Sequence, residues 1–174
     1  MGLYLNPGNE AFNKIRSGIY VDKTDMIDYI NETIPTTSNL TCFSRPRRFG
    51  KSFAAKMLCA YYDKSCDSRE LFEGLKISEM ESFEKYLNKF DVIYLDITWF
   101  TSTIESIGNS VSDLQRCVIQ ELKASFPCVA NSGETSLPRM LADISHKTKQ
   151  KFVIIIDEWD ALFREAKEDK ELQK

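Results

Sequence analysis

A glycine, a lysine and a serine follow a short basic run in the first third of the chain. The run reads Arg45-Pro46-Arg47-Arg48-Phe49-Gly50-Lys51-Ser52. Residues 40–44, which precede it, include a short apolar run and predict a core strand, and residues 53–62, which follow it, predict a helix. A strand, a tight loop ending in Gly-Lys-Ser and a helix, in this order, are typical of a loop that binds phosphate groups.

Each residue type at the end of this loop has a chemical reason to be there. Backbone N–H groups at a helix N-terminus attract an anion, and Gly50 lets the backbone approach a phosphate closely. Lys51 would reach the outer phosphates, and the hydroxyl of Ser52 would hold Mg²⁺. The usual pattern also has a glycine five residues before Gly50, where this chain has Arg45. The match to the phosphate-loop pattern is therefore partial, and we predict the whole run 45–52 as the nucleotide-binding segment.

A second motif lies near the end of the chain. The apolar residues 152–156 lead directly into Asp157 and Glu158, and four of them are Val or Ile. This composition predicts a strand over 151–156 that is buried on both faces. An acidic pair at the C-terminal end of such a strand has the chemistry of a Walker B motif. Asp157 is then the candidate Mg²⁺ ligand, and Glu158 is the candidate base that orients and deprotonates the attacking water.

Neither motif decides the function alone. Gly-Lys-Ser is common by chance, three arginines in a loop most often form a solvated basic surface, and an apolar run that ends in Asp is more often a core strand reaching its turn. Both motifs occur here in the expected order and local context. Their combination favours a nucleotide site in which Lys51 and Glu158 are the catalytic candidates and Ser52 and Asp157 are the metal-binding candidates.

The remaining patterns predict alternating helices and strands. Residues 1–21 are expected to be irregular, 71–74 to form a helical turn that ends at a glycine, and 92–98 to form a strand. Helices are predicted over about 24–31, 81–89, 104–126 and 136–149, with a charged helical tail over 159–174. Because long helical segments separate the strands, we predict an α/β fold: a P-loop NTPase-like parallel sheet with helices on both faces.

Composition excludes several other classes of protein. The formal net charge of -3 and the pI of about 5.3 argue against a strong nucleic-acid-binding surface. The sequence has no apolar run of membrane-spanning length and no signal-peptide pattern. Five cysteines without a C-x-x-C pair indicate a reduced cytoplasmic protein that uses them as small core residues. His146 is the only histidine, which disfavours a histidine metal site or a Ser-His-Asp triad.

The chain resembles the bacterial predicted AAA-ATPase-like family over nearly its whole length. The resemblance rests on these residues: Phe12, Ile15-Arg16, Gly18, Tyr20-Val21-Asp22-Lys23-Thr24, the run 45–52, Leu71-Phe72-Glu73-Gly74-Leu75 and Ile77. It implies ATP and Mg²⁺ as ligands, a phosphate loop that reads as here with Arg45, and Walker B acids at Asp157 and Glu158. Many members of that family carry a PD-(D/E)XK nuclease-like domain after the ATPase part.

The resemblance also implies segments that this sequence does not reach before Lys174. A further strand with a polar sensor residue, a lid and any arginine finger would come later. We therefore expect residues 1–174 to be a single, incomplete domain, truncated after the Walker B strand. Three explanations stay open: a fragment, a protein partner or second copy that completes the sheet, and a natural truncation with a different role.

Two functions of different classes follow. One is an ATP- and Mg²⁺-binding ATPase module that is weakly active or inactive alone. The alternative is a truncated ATPase relative that acts as a non-catalytic, protein-binding regulator or inhibitor. The base-reading motif of GTPases, Asn-Lys-x-Asp, is absent, which favours ATP over GTP.

Overall fold

The computed structural model describes residues 2–44, 49–103 and 110–161. The helices are α1 (Glu10–Arg16), α2 (Asp25–Thr33), α3 (Lys51–Tyr62), α4 (Arg69–Phe72), α5 (Phe83–Tyr86), α6 (Ile97–Thr103), α7 (Ser110–Ser125) and α8 (Leu137–Thr148). Short 3₁₀ helices span Lys76–Glu79 and Pro127–Val129. The strands are β1 (Asp91–Asp96) and β2 (Phe152–Asp157). The described residues belong to two compact units, one comprising Asn6–Val92 and the other comprising Gly2–Leu5 with Ile93 and the residues after it.

The first unit is built around aromatic side chains. Phe12 on α1 stacks on Phe72 on α4 with ring centroids 5.2 Å apart, and Tyr61 on α3 meets Phe72 edge-on at 5.5 Å. The buried amide of Asn31 on α2 donates to the hydroxyl of Tyr61 (3.0 Å) and accepts from the hydroxyl of Tyr62 (2.8 Å). Because buried polar groups are costly unless they are paired, these bonds fix the C-terminal half of α3 against α2 in one arrangement.

The second unit contains a small parallel sheet of β1 and β2. Its apolar core combines residues of these strands with the buried faces of α7 and α8, among them Ile93, Val118 and Ile144. The carboxylate of Glu121 on α7 accepts hydrogen bonds from the backbone N–H groups of residues 3, 4 and 5 at 2.8–3.0 Å. The N-terminal segment is thereby fixed to this unit.

Most of the predicted elements are present. The predictions of helices near 24–31, 53–62 and 136–149 and of strands near 92–98 and 151–156 are confirmed with shifted ends. The predicted helix over 104–126 is confirmed for α7, and residues 104–109 lie outside the described part. The helix predicted over 81–89 is reduced to α5. Two helices were missed: α1, in the stretch expected to be irregular, and α6, which begins directly after β1.

The strand predicted over 40–44 is not formed. These residues have no regular secondary structure, and Leu40 and Phe43 are 95% and 43% exposed. A strand needs a neighbour for its backbone hydrogen bonds, and within the described residues the sheet pairs only β1 with β2. The described part supports the α/β class with a two-stranded parallel sheet, which is smaller than the predicted one.

The prediction that the strand over 151–156 is buried on both faces is wrong for the described structure. Ile154 and Ile156, which point to the same face of β2, are 50% and 53% exposed, whereas Asp157 on the opposite face is buried. Within the described residues β1 is the strand neighbour of β2, and the face that carries Ile154 and Ile156 is only partly covered.

The remaining predictions from the sequence have mixed outcomes. His146 is exposed in the last turn of α8. Cys59 is buried, but Cys42 and Cys128 are exposed, so the core role predicted for the cysteines holds only in part; all five are free thiols. No helix in the described part is long and apolar enough to cross a membrane. Most of the predicted helical tail, from residue 162 on, lies outside the described residues.

Candidate functional site

Gly50 is the residue that precedes the first turn of α3, and its backbone is left-handed, with φ of +79° and ψ of 26°. This conformation is strained for residues with a Cβ atom and costs glycine little. The carbonyl of Gly50 accepts the first hydrogen bond of the helix, from the N–H of Ala54 at 3.0 Å. The N–H groups of the first turn have no partner within a helix, so they and the helix dipole are suited to an anion.

The two ends of α3 differ sharply in burial. Lys51 is half-buried, Ser52 is exposed and Phe53 is 56% exposed, whereas Met57 and Tyr61 near the other end are 1% and 0% exposed. The buried end anchors the helix in the core of the first unit. The open end presents the lysine and serine of the predicted phosphate loop to solvent, where a ligand can reach them.

The segment 22–24 contacts the end of the predicted phosphate loop through Lys23. The carboxylate of Asp22 accepts hydrogen bonds from the N–H and hydroxyl of Thr24 at 2.9 and 2.7 Å and from the N–H of Lys76 at 2.9 Å. Partial burial raises the pKa of Asp22, but these donors outweigh it, and the net pKa lies below its ordinary value. The residue in the middle of this segment, Lys23, donates from Nζ to the carbonyl of Phe49 at 3.2 Å.

The acidic pair sits at the end of β2. Asp157 is the last residue of the strand and is 6% exposed, and its carboxylate accepts a hydrogen bond from the hydroxyl of Tyr94 on β1 at 3.4 Å. Glu158 follows with a φ of +52°, which is unusual for a residue with a side chain. The carbonyl of Glu158 accepts from the N–H of Ala161 at 2.9 Å, so the chain turns immediately after the strand. Backbone strain of this kind is common at functional sites, where the surrounding structure holds it in place.

The structure therefore gathers the predicted residues in two groups, each within its own unit. Gly50, Lys51 and Ser52 come together at the open end of α3, and Phe49 beside them is 61% exposed. Asp157 and Glu158 come together after β2. The remaining members of the predicted run, Arg45, Pro46, Arg47 and Arg48, lie outside the described residues.

Sequence reasoning missed two side chains that contact these groups. Tyr94 was predicted to lie on a strand, but a single sequence gives no register, so its hydrogen bond to Asp157 could not be foreseen. The contact of Lys23 with the carbonyl of Phe49 is the other one that the sequence does not predict. The only signal for Lys23 is its place in Tyr20-Val21-Asp22-Lys23-Thr24, which was noted for its resemblance to the family and not for any contact.

The residues at both groups suit the ligands that the sequence implies. A left-handed glycine, unpaired first-turn N–H groups and a lysine match the needs of phosphate oxygens, and Ser52 and Asp157 offer the oxygen ligands that Mg²⁺ prefers. The described residues contain no cluster of three or more His, Cys, Asp or Glu side chains that could hold a metal by themselves.

Comparison with known protein families decides the classification. The family model described as Predicted AAA-ATPase matches residues 7–174. The chain belongs to this family. The match includes both groups of predicted site residues, and membership in the predicted AAA-ATPases indicates, at the coarse level, a nucleotide-binding ATPase. No curated protein and no solved structure matches the chain.

Proposed function

We propose that this predicted AAA-ATPase binds Mg²⁺ and ATP through residues 45–52. The N–H groups at the start of α3 and the ammonium of Lys51 bind the outer phosphates. The proposed oxygen ligands for Mg²⁺ are the hydroxyl of Ser52 in the first unit and the carboxylate of Asp157 in the second. The observation that carries the proposal is the open N-terminus of α3, where Gly-Lys-Ser follows a left-handed glycine in a member of an ATPase family.

We further propose that Glu158 is the base of a hydrolytic reaction. Its carboxylate takes a proton from water as the water oxygen bonds to the γ-phosphorus. The bond between that phosphorus and the oxygen bridging to the β-phosphate breaks, which releases ADP and phosphate. Asp157, held by the hydroxyl of Tyr94, has the fixed position that a metal ligand needs.

The choice of ATP over GTP stays part of the proposal and is supported by membership in the predicted AAA-ATPase family. A cytoplasmic setting is supported by the five free thiols.

A protein partner or second copy that completes the sheet is also proposed, and the exposed Ile154 and Ile156 on β2 support it.

The direct experiment is a calorimetric titration of Mg·ATP into the wild-type chain, Lys51→Ala and Lys14→Ala. Lys14 is an exposed lysine on α1 and serves as the control for loss of one positive charge. Lys51→Ala should weaken binding by about 1.5–3 kcal/mol, which is the range for a hydrogen bond to a charged group, and Lys14→Ala should bind like wild type. Equal affinity of wild type and Lys51→Ala would refute the phosphate site. Failure of the wild-type chain to bind any nucleotide would instead favour the non-catalytic, protein-binding alternative.

A further inference from the structure

The segment around Lys23 is pinned on both sides of that residue. Asp22 accepts the N–H of Lys76 at 2.9 Å, and the hydroxyl of Thr24 accepts the N–H of Ile77 at 3.1 Å. Asp22 also binds both the N–H and the hydroxyl of Thr24, and Thr24 is fully buried. Both neighbours of Lys23 are thus fixed to the start of the 3₁₀ helix Lys76–Glu79. The backbone of Lys23 has a defined position as a result.

The side chain of Lys23 extends from this anchored backbone to the end of the phosphate loop. Lys23 is exposed, and its Nζ lies 3.2 Å from the carbonyl oxygen of Phe49. The same nitrogen is the nearest atom to the position that a Cβ on Gly50 would take, at 3.7 Å. The ammonium therefore lies beside the glycine at which a phosphate would approach the backbone.

We propose that Lys23 is a second phosphate-binding lysine of this site, acting together with Lys51. This inference rests on the proposed function, because it assumes that phosphates occupy the start of α3. An ammonium group has three N–H donors, and one of them holds the carbonyl of Phe49. The other two have no hydrogen-bond partner among the described residues, and each can form a charge-assisted bond to a phosphate oxygen.

The arrangement explains why a lysine stands between two anchoring residues. An exposed lysine ordinarily loses considerable side-chain entropy when it binds a ligand. Here the hydrogen bond to Phe49 holds the ammonium at the loop before a ligand arrives, so part of that cost is met in the free protein. Lys23 also places a positive charge next to the carbonyl oxygen of Phe49, at the end of the loop where the phosphates are proposed to bind.

The test is a set of titrations with the whole chain, using Mg·ATP and inorganic tripolyphosphate as probes. The variants are Lys23→Met, which keeps the apolar stem and removes the charge, Lys23→Arg, which keeps the charge, and Lys14→Met as the matched exposed control. Lys51→Ala is included as the reference for the phosphate site itself. Thermal unfolding of each variant without ligand reports any loss of fold.

Lys23→Met should weaken the binding of both probes by a similar factor, about tenfold or more, because the lost contact is to phosphate and not to the base. Lys23→Arg should recover most of the affinity, and Lys14→Met should behave like wild type. Loss of affinity in Lys51→Ala together with unchanged affinity in Lys23→Met would overturn the role of Lys23 and leave the proposed function standing. Weakened ATP binding with unchanged tripolyphosphate binding would also overturn it. Unchanged affinity in both Lys51→Ala and Lys23→Met would refute the phosphate site and the inference with it.

Discussion

The start of α3 carries the predicted phosphate-binding groups, and the end of β2 carries the predicted metal-binding and basic carboxylates. The two regions differ in how far their functional groups are buried. At α3 the functional groups are open: Ser52 is exposed, Lys51 is half-buried, and the helix is anchored at its far end by buried side chains such as Tyr61. At β2 the metal-binding candidate Asp157 is itself buried and held by Tyr94, and the backbone of Glu158 is left-handed. The first region is suited to capture a mobile anion. The second holds the Asp157 carboxylate by a hydrogen bond and gives Glu158 a defined backbone turn, which suits the placement that a reaction requires.

Because the two regions differ in burial, nucleotide binding and ATP turnover should respond to different substitutions. Residues at the open end of α3 can change nucleotide affinity with little effect on folding, because they contribute little to the core. Residues at the end of β2 should affect the reaction more than affinity, since their value lies in placement. Each prediction below tests one side of that contrast.

The largest effect is expected at Glu158. Glu158→Gln keeps the shape of the side chain and removes the base, so any ATP turnover should fall by about 10²–10⁴-fold. Affinity for Mg·ATP should stay within a factor of about two, which is a difference of about 0.4 kcal/mol. The turnover rate is measured as phosphate release and the affinity for Mg·ATP by equilibrium binding, both on the same preparation. Turnover that is undiminished in this variant would place the chemistry elsewhere in the protein.

Substitutions at the two ends of α3 should differ in their effect on the free energy of unfolding. Met57→Ala removes a buried side chain and should lower the free energy of unfolding by about 2–5 kcal/mol. Phe53→Ala, on the same helix but 56% exposed, should change it by about 0.5 kcal/mol or less. Chemical denaturation measures both. Similar losses in the two variants would mean that the open end of α3 is covered in solution.

Asp22 should make stability depend on pH in the acid range. Its folded pKa is lower than its ordinary value of 3.8, so its contribution is fully present above that value and is lost as the pH falls through the folded pKa. Asp22→Asn should lower the free energy of unfolding at pH 7 by about 1–2 kcal/mol and should flatten the acid part of the stability profile. Asp25→Asn is the control, because Asp25 forms only an exposed ion pair with Lys76 at 3.8 Å among its described contacts. An equal loss in both variants would contradict the anchoring role of Asp22.

The smallest effect is expected at Tyr94. Tyr94→Phe removes the hydroxyl that donates to the Asp157 carboxylate at 3.4 Å, and because this distance is long for a hydrogen bond, we expect a loss of only about 0.5–1.5 kcal/mol. The Mg²⁺ concentration for half-maximal ATP turnover should therefore rise several-fold, while turnover at saturating Mg²⁺ changes less. If the Mg²⁺ requirement stays the same, Tyr94 does not position a metal ligand.

Much of the site could be predicted because its signals are local. The glycine before Lys51 and the apolar run before Asp157 are read directly from neighbouring residues, and the structure places a left-handed glycine and a strand end there. The prediction of a strand over 40–44 was wrong because a strand needs a neighbouring strand, and the local sequence does not specify one. The contacts of Lys23 and Tyr94 join residues 26 and 63 positions apart, and composition or periodicity carries no record of such pairings.

Amide hydrogen exchange can show whether phosphates bind at the first turn of α3. Exchange of the backbone N–H groups of residues 51–53 should slow markedly when Mg·ATP is added, because a bound phosphate would accept hydrogen bonds from them. Exchange near Tyr61 and Tyr62 should change little, since that end of the helix is already buried. Slower exchange confined to the first turn is the predicted result. Saturating Mg·ATP that leaves residues 51–53 exchanging as in the free protein would contradict the account.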